Sequence, residues 1–382
     1  MIRHHHFFQL LFAGYLLLFG CFFIYSYTQV DLNLTLSSHP LYQLIQRQLT
    51  YVGYFNRPIS GSALILLLTA LWIIYFITIR AVAKDVLQKR HVVYMIAVSL
   101  ILVFAYPAFS HDFFNYMFDA RIVTKYGLDP SHFKALDFPV DTWTRFMRWT
   151  HRYYPYGPGW LLLTLVPSYL GFGKFVVTLF LFKGLFAIAH VGNSWLLHRM
   201  NNNKRSGLIL AAYALNPLIL TESLVSPHNE VLMLFGVLLA FYLLLRNNLA
   251  SLLALIASIS MKYVSAVLLP LWFVAKYSSR SKLFIYAFYA WLVALVPLIL
   301  MREPYSWYFI PLVALALLTE KSLPFAIATG LSAGTLVRYI PFIIWGDYGI
   351  RSQNTQLYLF VSVTAIISFY SYSVWEKNRT SQ

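Results

Sequence analysis

The chain is short of charge. Only 11% of its 382 residues are Asp, Glu, Lys or Arg, where soluble domains run to about a quarter. Apolar residues make up 59%. In water they would form large exposed hydrophobic patches, so lipid is the solvent the composition selects. There is one cysteine, Cys21, inside an apolar run, which excludes an intrachain disulfide and a cysteine-based metal site. No Gly/Ser- or Pro-rich linker, internal repeat or low-complexity stretch interrupts the sequence, so residues 1–382 read as a single membrane domain. A transporter-type inverted repeat can escape such inspection. Acidic residues are scarcer than basic ones, giving a net charge of +16. In a soluble protein this would point to nucleic acid. Here it points to basic membrane-flanking loops and anionic lipid, and to no nucleic-acid partner.

A span needs about 20 apolar residues. Runs 7–29, 60–79, 92–109, 175–197, 207–225, 229–245, 283–300, 323–345 and 356–375 qualify, and 249–261, 263–275 and 306–319 are shorter candidates. The first run follows a basic start but has no small-residue cleavage site, so it reads as a retained helix. His4-His5-His6 there reads as a solvated flank, with metal binding the less economical alternative. Segment 158–170 is ambiguous, being short and broken by Pro167. If it crosses, Arg199/Lys204/Arg205 and Lys276/Arg280/Lys282 fall outside. If it dips in and returns, these loops join Arg80/Lys84/Lys89/Arg90, Arg246 and Lys377/Arg379 on one side, as the positive-inside rule requires. The re-entrant reading gives an all-α polytopic protein of about twelve spans, both ends cytoplasmic. It also gives one long outer loop, 110–157, too aromatic for disorder.

That loop opens with Ser110-His111-Asp112-Phe113-Phe114-Asn115-Tyr116, then Asp119 and Arg121. Helical spacing places Asp112, Asn115 and Asp119 on one face. Asp112 reads either as the cap of that helix or as a partly desolvated general base. Tyr126-Gly127-Leu128-Asp129-Pro130 reads as a turn, with Gly127 at a helix C′ position. His151-Arg152-Tyr153-Tyr154-Pro155-Tyr156-Gly157-Pro158 offers Arg152 and tyrosine hydroxyls to phosphate or sugar oxygens. An interfacial aromatic belt explains it equally well. In Ser226-Pro227-His228-Asn229-Glu230, Ser226 is an N-cap candidate with Pro227 at the first helical position. His228, Asn229 and Glu230 would then occupy the first turn, where anions bind. Lys262 divides two apolar runs and either faces an anion in a cavity or snorkels. Glu222, Lys183 and Arg338 suggest only buried pairing.

In order, these motifs resemble the polyprenol-phosphate-mannose-dependent α-mannosyltransferases, within the integral-membrane glycosyltransferases of the C-type fold. The resemblance covers about 106–275. It runs through Pro107, the Ser110–Tyr116 segment, Gly127-Leu128-Asp129-Pro130, Tyr156-Gly157-Pro158, Asn216-Pro217-Leu218, His228-Asn229-Glu230 and Lys262. His111 stands where the family has another basic residue, and Glu230 where it has Asp. No trusted motif lies beyond about 280.

The resemblance implies an inverting transfer of a hexose, mannose by analogy, from a polyprenyl-phosphate donor to an extracytoplasmic glycan or glycolipid acceptor at the plasma membrane. Asp112 would be the catalytic base. His228, Lys262, Arg121 and Arg152 would meet the donor phosphate, and Asn115, Tyr154, Tyr156, Asn229 and Glu230 would contact substrate. Neither a metal site nor a cofactor is implied. A lipid-linked sugar transporter or flippase, or a non-catalytic subunit of an envelope-assembly complex, would share the spans. The packed outer loop argues against the first and Asp112 against the second.

Overall fold

Backbone N–H and C=O groups cannot be left unpaired in hydrocarbon, so apolar runs of this kind must coil into helices. The computed structural model describes residues 2–32, 34, 36–201, 206–244, 246–275, 278–301 and 303–380, with side chains from His5 to Lys377. The basic residues Lys204, Arg205 and Lys276, and the side chains of His4 and Arg379, lie outside the described residues. Among those described the fold is all helix, with no strand. The first part holds α1 (Ile2–Ser26), α2 (Pro40–Thr50), α3 (Arg57–Ala83), α4 (Lys89–Ser99), α5 (Asp112–Tyr126), α6 (Pro158–Leu170), α7 (Phe175–Met200), α8 (Ser206–Ala214) and α9 (Pro217–Leu220). Then come α10 (Glu230–Leu243), α11 (Asn248–Met261), α12 (Pro270–Val274), α13 (Arg280–Met301), α14 (Ile310–Thr319), α15 (Ser322–Leu336), α16 (Tyr339–Trp345) and α17 (Ile350–Thr380).

The protein is a polytopic membrane protein. Six described helices are long and apolar enough to cross a bilayer: His5–Gln29, Arg57–Ala83, Phe175–Met200, Arg280–Met301, Ser322–Trp345 and Ile350–Lys377. Ser206–Ala214 and Pro217–Val225 form a seventh candidate, bent by 53°. The bend falls at Asn216-Pro217, where the Asn216 side chain caps α9 by accepting from the Leu218 N–H at 2.9 Å. The remaining expected spans are shorter than a bilayer. At 1.5 Å per residue, the 14 residues each of α10 and α11 reach only about 21 Å. The run 92–109 is α-helical only to Ser99, tightens to a 3₁₀ helix over Leu100–Phe104, and is extended at Ala105 before Pro107, as the residues leading into a proline prefer.

Loop 110–157 folds against the bundle edge. Helix α5 is followed by 3₁₀ turns at Ala135–Asp137 and Thr142–Phe146. Gly127 closes α5 at φ +66°, the left-handed C-terminal position expected of it. Both ends of α6 touch this loop. At its start, Trp160 meets Tyr116 of α5 edge to face at 5.1 Å. Near its end, Ser168 and Thr124 of α5 share a hydrogen bond of 2.8 Å.

Candidate functional site

The turn before α10 departs from the sequence expectation. Ser226 does not cap the helix and Pro227 is not its first residue. The Ser226 hydroxyl instead accepts the Phe109 N–H at 3.0 Å, and the His228 N–H donates back to the Glu222 carbonyl at 3.0 Å. The helix therefore starts at Glu230, leaving His228 and Asn229 in the turn. Lys183, buried on α7, fixes that turn by donating to the Leu224 and Val225 carbonyls at 2.7 Å each. An ammonium in this setting must find oxygen, and the π-helical segment Thr221–Val225 supplies it.

His228 is 1% exposed. Its Nδ1 lies 2.8 Å from Glu222 Oε2, near enough for an ion pair but misaligned for a hydrogen bond, and its Nε2 has no protein partner. Burial disfavours the charged ring, but the Glu222 contact outweighs it and raises the His228 pKa. Glu222 is held in turn by Ser306 Oγ at 2.6 Å and the Tyr339 hydroxyl at 2.9 Å. The ring stacks on Trp307 at 4.0 Å, and Trp307 stacks on Tyr305 at 4.6 Å. Sequence reasoning gave Glu222 only a buried pairing and missed Ser306, Trp307 and Tyr339.

Lys262 sits at the break between α11 and the 3₁₀ helix Tyr263–Leu268, in extended geometry. Its ammonium pairs with the Glu230 carboxylate, reaches Asn229 Oδ1 at 3.4 Å and lies over the Tyr308 ring at 5.4 Å. Glu230 Oε2 and Asn229 Nδ2 are buried without a partner. The Tyr156-Gly157-Pro158 turn presses on the same break. The Gly157 N–H donates to the Met261 carbonyl at 3.3 Å, and a Cβ on Gly157 would lie 2.1 Å from the Ser260 carbonyl oxygen.

Asp112 occupies the first position of α5, after His111. Its carboxylate forms no hydrogen bond or ion pair among the described residues, so it is not a cap. Its charge acts on Tyr116, Tyr156 and His228, as does that of Glu230, and the Tyr116 and Tyr156 rings meet edge to face at 5.4 Å. Asp119, two turns further on, is buried and also feels Asp112. Asn115 donates to the Trp149 carbonyl at 3.3 Å and buries an unpartnered Oδ1. His111 bonds Asp31 at 3.1 Å, and Arg148 reaches the same carboxylate at 2.7 Å. Burial would raise the Asp31 pKa, but His111 and Arg148 outweigh it and hold it at about 2.

Two of the expected phosphate ligands stand apart. Arg152 is exposed and stacks on Trp149 at 4.0 Å, although its charge still reaches Tyr305, as that of Asp112 does. Arg121 is buried, bonded to Asp141 at 2.8 Å and laid over Trp143 at 4.0 Å. No contact joins Arg121 to Asp112, His228 or Lys262 among the described residues. Nor do any three described His, Cys, Asp or Glu side chains group as metal ligands.

The described residues form an all-helical membrane protein in which the Asp112 carboxylate at the start of α5 is unpaired and His228 and Lys262 are each held by a carboxylate. The family described as alpha-(1->6)-mannopyranosyltransferase, N-terminal domain, matches residues 12–278. The chain belongs to that family and is an α-mannosyltransferase. No curated protein and no solved structure matches the chain. The matched segment holds Asp112, His228 and Lys262, whereas Ser306, Trp307 and Tyr339 lie beyond it.

Proposed function

We propose that the chain transfers mannose with inversion from a polyprenyl-phosphate donor to a glycan or glycolipid acceptor on the extracytoplasmic face of the plasma membrane. The bundle is a single C-type glycosyltransferase domain of about twelve spans, in which the short helices complete the count and α6 is re-entrant. Contact of both α6 ends with α5 of loop 110–157 supports that topology.

Asp112 removes the acceptor hydroxyl proton as that oxygen bonds to the anomeric carbon. The bond from that carbon to the phosphate oxygen breaks, and polyprenyl phosphate leaves with the electron pair. Its charge is met by Lys262, which keeps N–H capacity beyond Glu230 and Asn229, and by Nε2 of the His228 ring, whose charged form Glu222 favours. Arg152 guards the entrance. Asn115, Tyr154, Tyr156, Asn229 and Glu230 line the sugar's surroundings, with Asn115 Oδ1, Asn229 Nδ2 and Glu230 Oε2 buried and free to pair with hydroxyls.

The observation that carries this reading is the unpaired Asp112 carboxylate, whose field falls on the same tyrosines and histidine as that of Glu230, the partner of Lys262. The test uses purified full-length protein, polyprenyl-phosphate-mannose and a crude acceptor extract. Wild type should consume donor and form a mannosylated product. Asp112→Asn should fold normally and lose about 10²-fold or more in turnover, the scale of a general base. Wild-type turnover in that variant, or no consumption of this donor by wild type, overturns the reading.

A further inference from the structure

A polar cavity of about 390 Å³ lies between loop 110–157 and the end of α6. Arg121, Lys125, Trp143, Ser168, Tyr169 and Phe172 are among the residues lining it. Arg121 is 8% exposed, and its geometry is set on two sides. Asp141 takes its Nε, and the Trp143 ring supports the guanidinium plane. Neither terminal amine of Arg121 meets an acceptor among the described residues, so a fork of donors is left over. Such a fork matches two oxygens of one phosphate. Lys125 adds a second cation 2.9 Å from the same Asp141 oxygen, and the Tyr126 hydroxyl bonds it at 2.6 Å. Two cations share one carboxylate, and one positive charge is uncompensated. Burial would raise the Asp141 pKa, but Arg121, Tyr126 and Lys125 outweigh it and hold it low, so that carboxylate stays ionised as the anchor of the fork.

The wall of the cavity continues along an exposed apolar face of α6. Leu162, Val166, Tyr169 and Leu170 are exposed on α6 at intervals of four, three and one, the spacing of one helical face. That apolar stripe runs to Tyr169 at the cavity wall and to Phe172 just past the helix end. Phe172 is 80% exposed and holds φ +48°, a left-handed conformation that is costly for a bulky side chain. The left-handed pair Phe172-Gly173 is the centre of a tight turn closed by the Lys174 N–H on the Gly171 carbonyl at 2.9 Å, and this turn puts the Phe172 ring outward. A lipid chain lying on the stripe accounts for that exposed ring, because Phe172 then borders its headgroup.

We propose that this cavity binds the phosphate of a membrane lipid, with the lipid's chain on the exposed face of α6 and its phosphate on Arg121 and Lys125, as a site separate from the one around Asp112. The proposal does not depend on the donor assignment, since none of its residues contacts His228, Lys262 or Asp112.

The test is native mass spectrometry of the delipidated full-length protein. It is offered phosphatidylglycerol, the matching diacylglycerol without phosphate, polyprenyl phosphate or inorganic phosphate. A Lys262→Gln background keeps the other site from contributing. The phosphate-bearing lipids should be retained at least about tenfold over diacylglycerol, and the better of the two identifies the occupant. Phe172→Asp puts a repelling charge at the mouth in a residue type that tolerates positive φ, and should cut retention about tenfold without unfolding. Lys125→Gln should cut it several-fold. The paired change Arg121→Gln with Asp141→Asn removes the buried charges together and should abolish it. Equal retention of diacylglycerol, capture of inorganic phosphate alone, or unchanged retention in Phe172→Asp and Lys125→Gln overturns the proposal.

Discussion

Glu222 Oε2 and His228 Nδ1 lie 2.8 Å apart, both side chains essentially out of solvent. The pair spans the π-helical turn that Lys183 clamps. The carboxylate selects the ring state and leaves Nε2 facing outward from the contact. Glu222→Gln keeps an acceptor oxygen for Ser306 and Tyr339 but removes the charge. The raised folded pKa means that the imidazolium persists at low pH and is lost as pH rises through that value. In Glu222→Gln this loss should move to lower pH, and the apparent donor affinity at neutral pH should fall several-fold. The measurement is kcat/KM for the donor across pH 5.5 to 9. An unshifted profile would mean that His228 does not act as a cation on the donor.

Asp31 plays the corresponding part on the other side of Asp112. It ties the end of the first span to His111 and Arg148, and accepts from the Tyr54 hydroxyl at 3.2 Å. Asp31→Ala should release His111 and tilt the start of α5, costing about 10- to 100-fold in turnover, as a displaced catalytic group does. Asp31→Asn should restore part of it, because an amide oxygen can still accept. A folded pKa of about 2, below the usual carboxylate value, means that the stabilisation is present above about pH 4 and lost as pH falls toward 2. Thermal melts in detergent check both variants. Activity equal to wild type in Asp31→Ala would show that α5 is positioned without it.

Much of this was legible in the sequence, for physical reasons. Low charge selected lipid, and the absence of backbone partners there selected helix. The glycine at 127 announced the end of α5, and Lys262 could not stay in a membrane without an oxygen. What escaped was long-range. Ser226 had the form of an N-cap, but its hydroxyl is taken by an N–H 117 residues earlier in the chain. Arg121 was grouped with His228 and Lys262, but Asp141 folds back onto it across the loop and holds it away from both. Asp31 was a lone carboxylate in a short loop, and Trp307 an aromatic among aromatics at an interface. Neither type nor spacing distinguished them.

The topology is open to labelling. Cys21 is the native cysteine and is exposed, so Cys21→Ser provides the background. Val140, 90% exposed in loop 110–157, should react as Val140→Cys with an impermeant maleimide added outside. Arg199→Cys, at the end of α7, should react only after permeabilisation. Labelling of both from one side would remove the re-entrant assignment of α6 and return it to a crossing helix.

Asp119 yields the last prediction. Seven residues after Asp112, it lies two turns along the same face of α5. It is 8% exposed, and its carboxyl makes no hydrogen bond or ion pair among the described residues. Burial, then the nearby Asp112 charge, raises its pKa to about 8. Near neutral pH it is therefore mostly protonated, and Asp112 faces one charged neighbour fewer. The folded state binds this proton between about pH 4 and 8 while the unfolded chain has released it, so stability falls as pH rises through that window. Above pH 8 the two carboxylates of α5 repel in a poorly solvated setting. Asp119→Asn cannot ionise. It should melt close to wild type at pH 5, several degrees higher at pH 9, and with a flatter dependence between. Any alkaline change in transfer rate that comes from charging Asp119 beside Asp112 should also flatten. Melting curves and transfer rates measured together at pH 5, 7 and 9 decide the matter. Parallel pH dependences for wild type and Asp119→Asn would show that Asp119 is ionised throughout, with a partner or water that keeps it so.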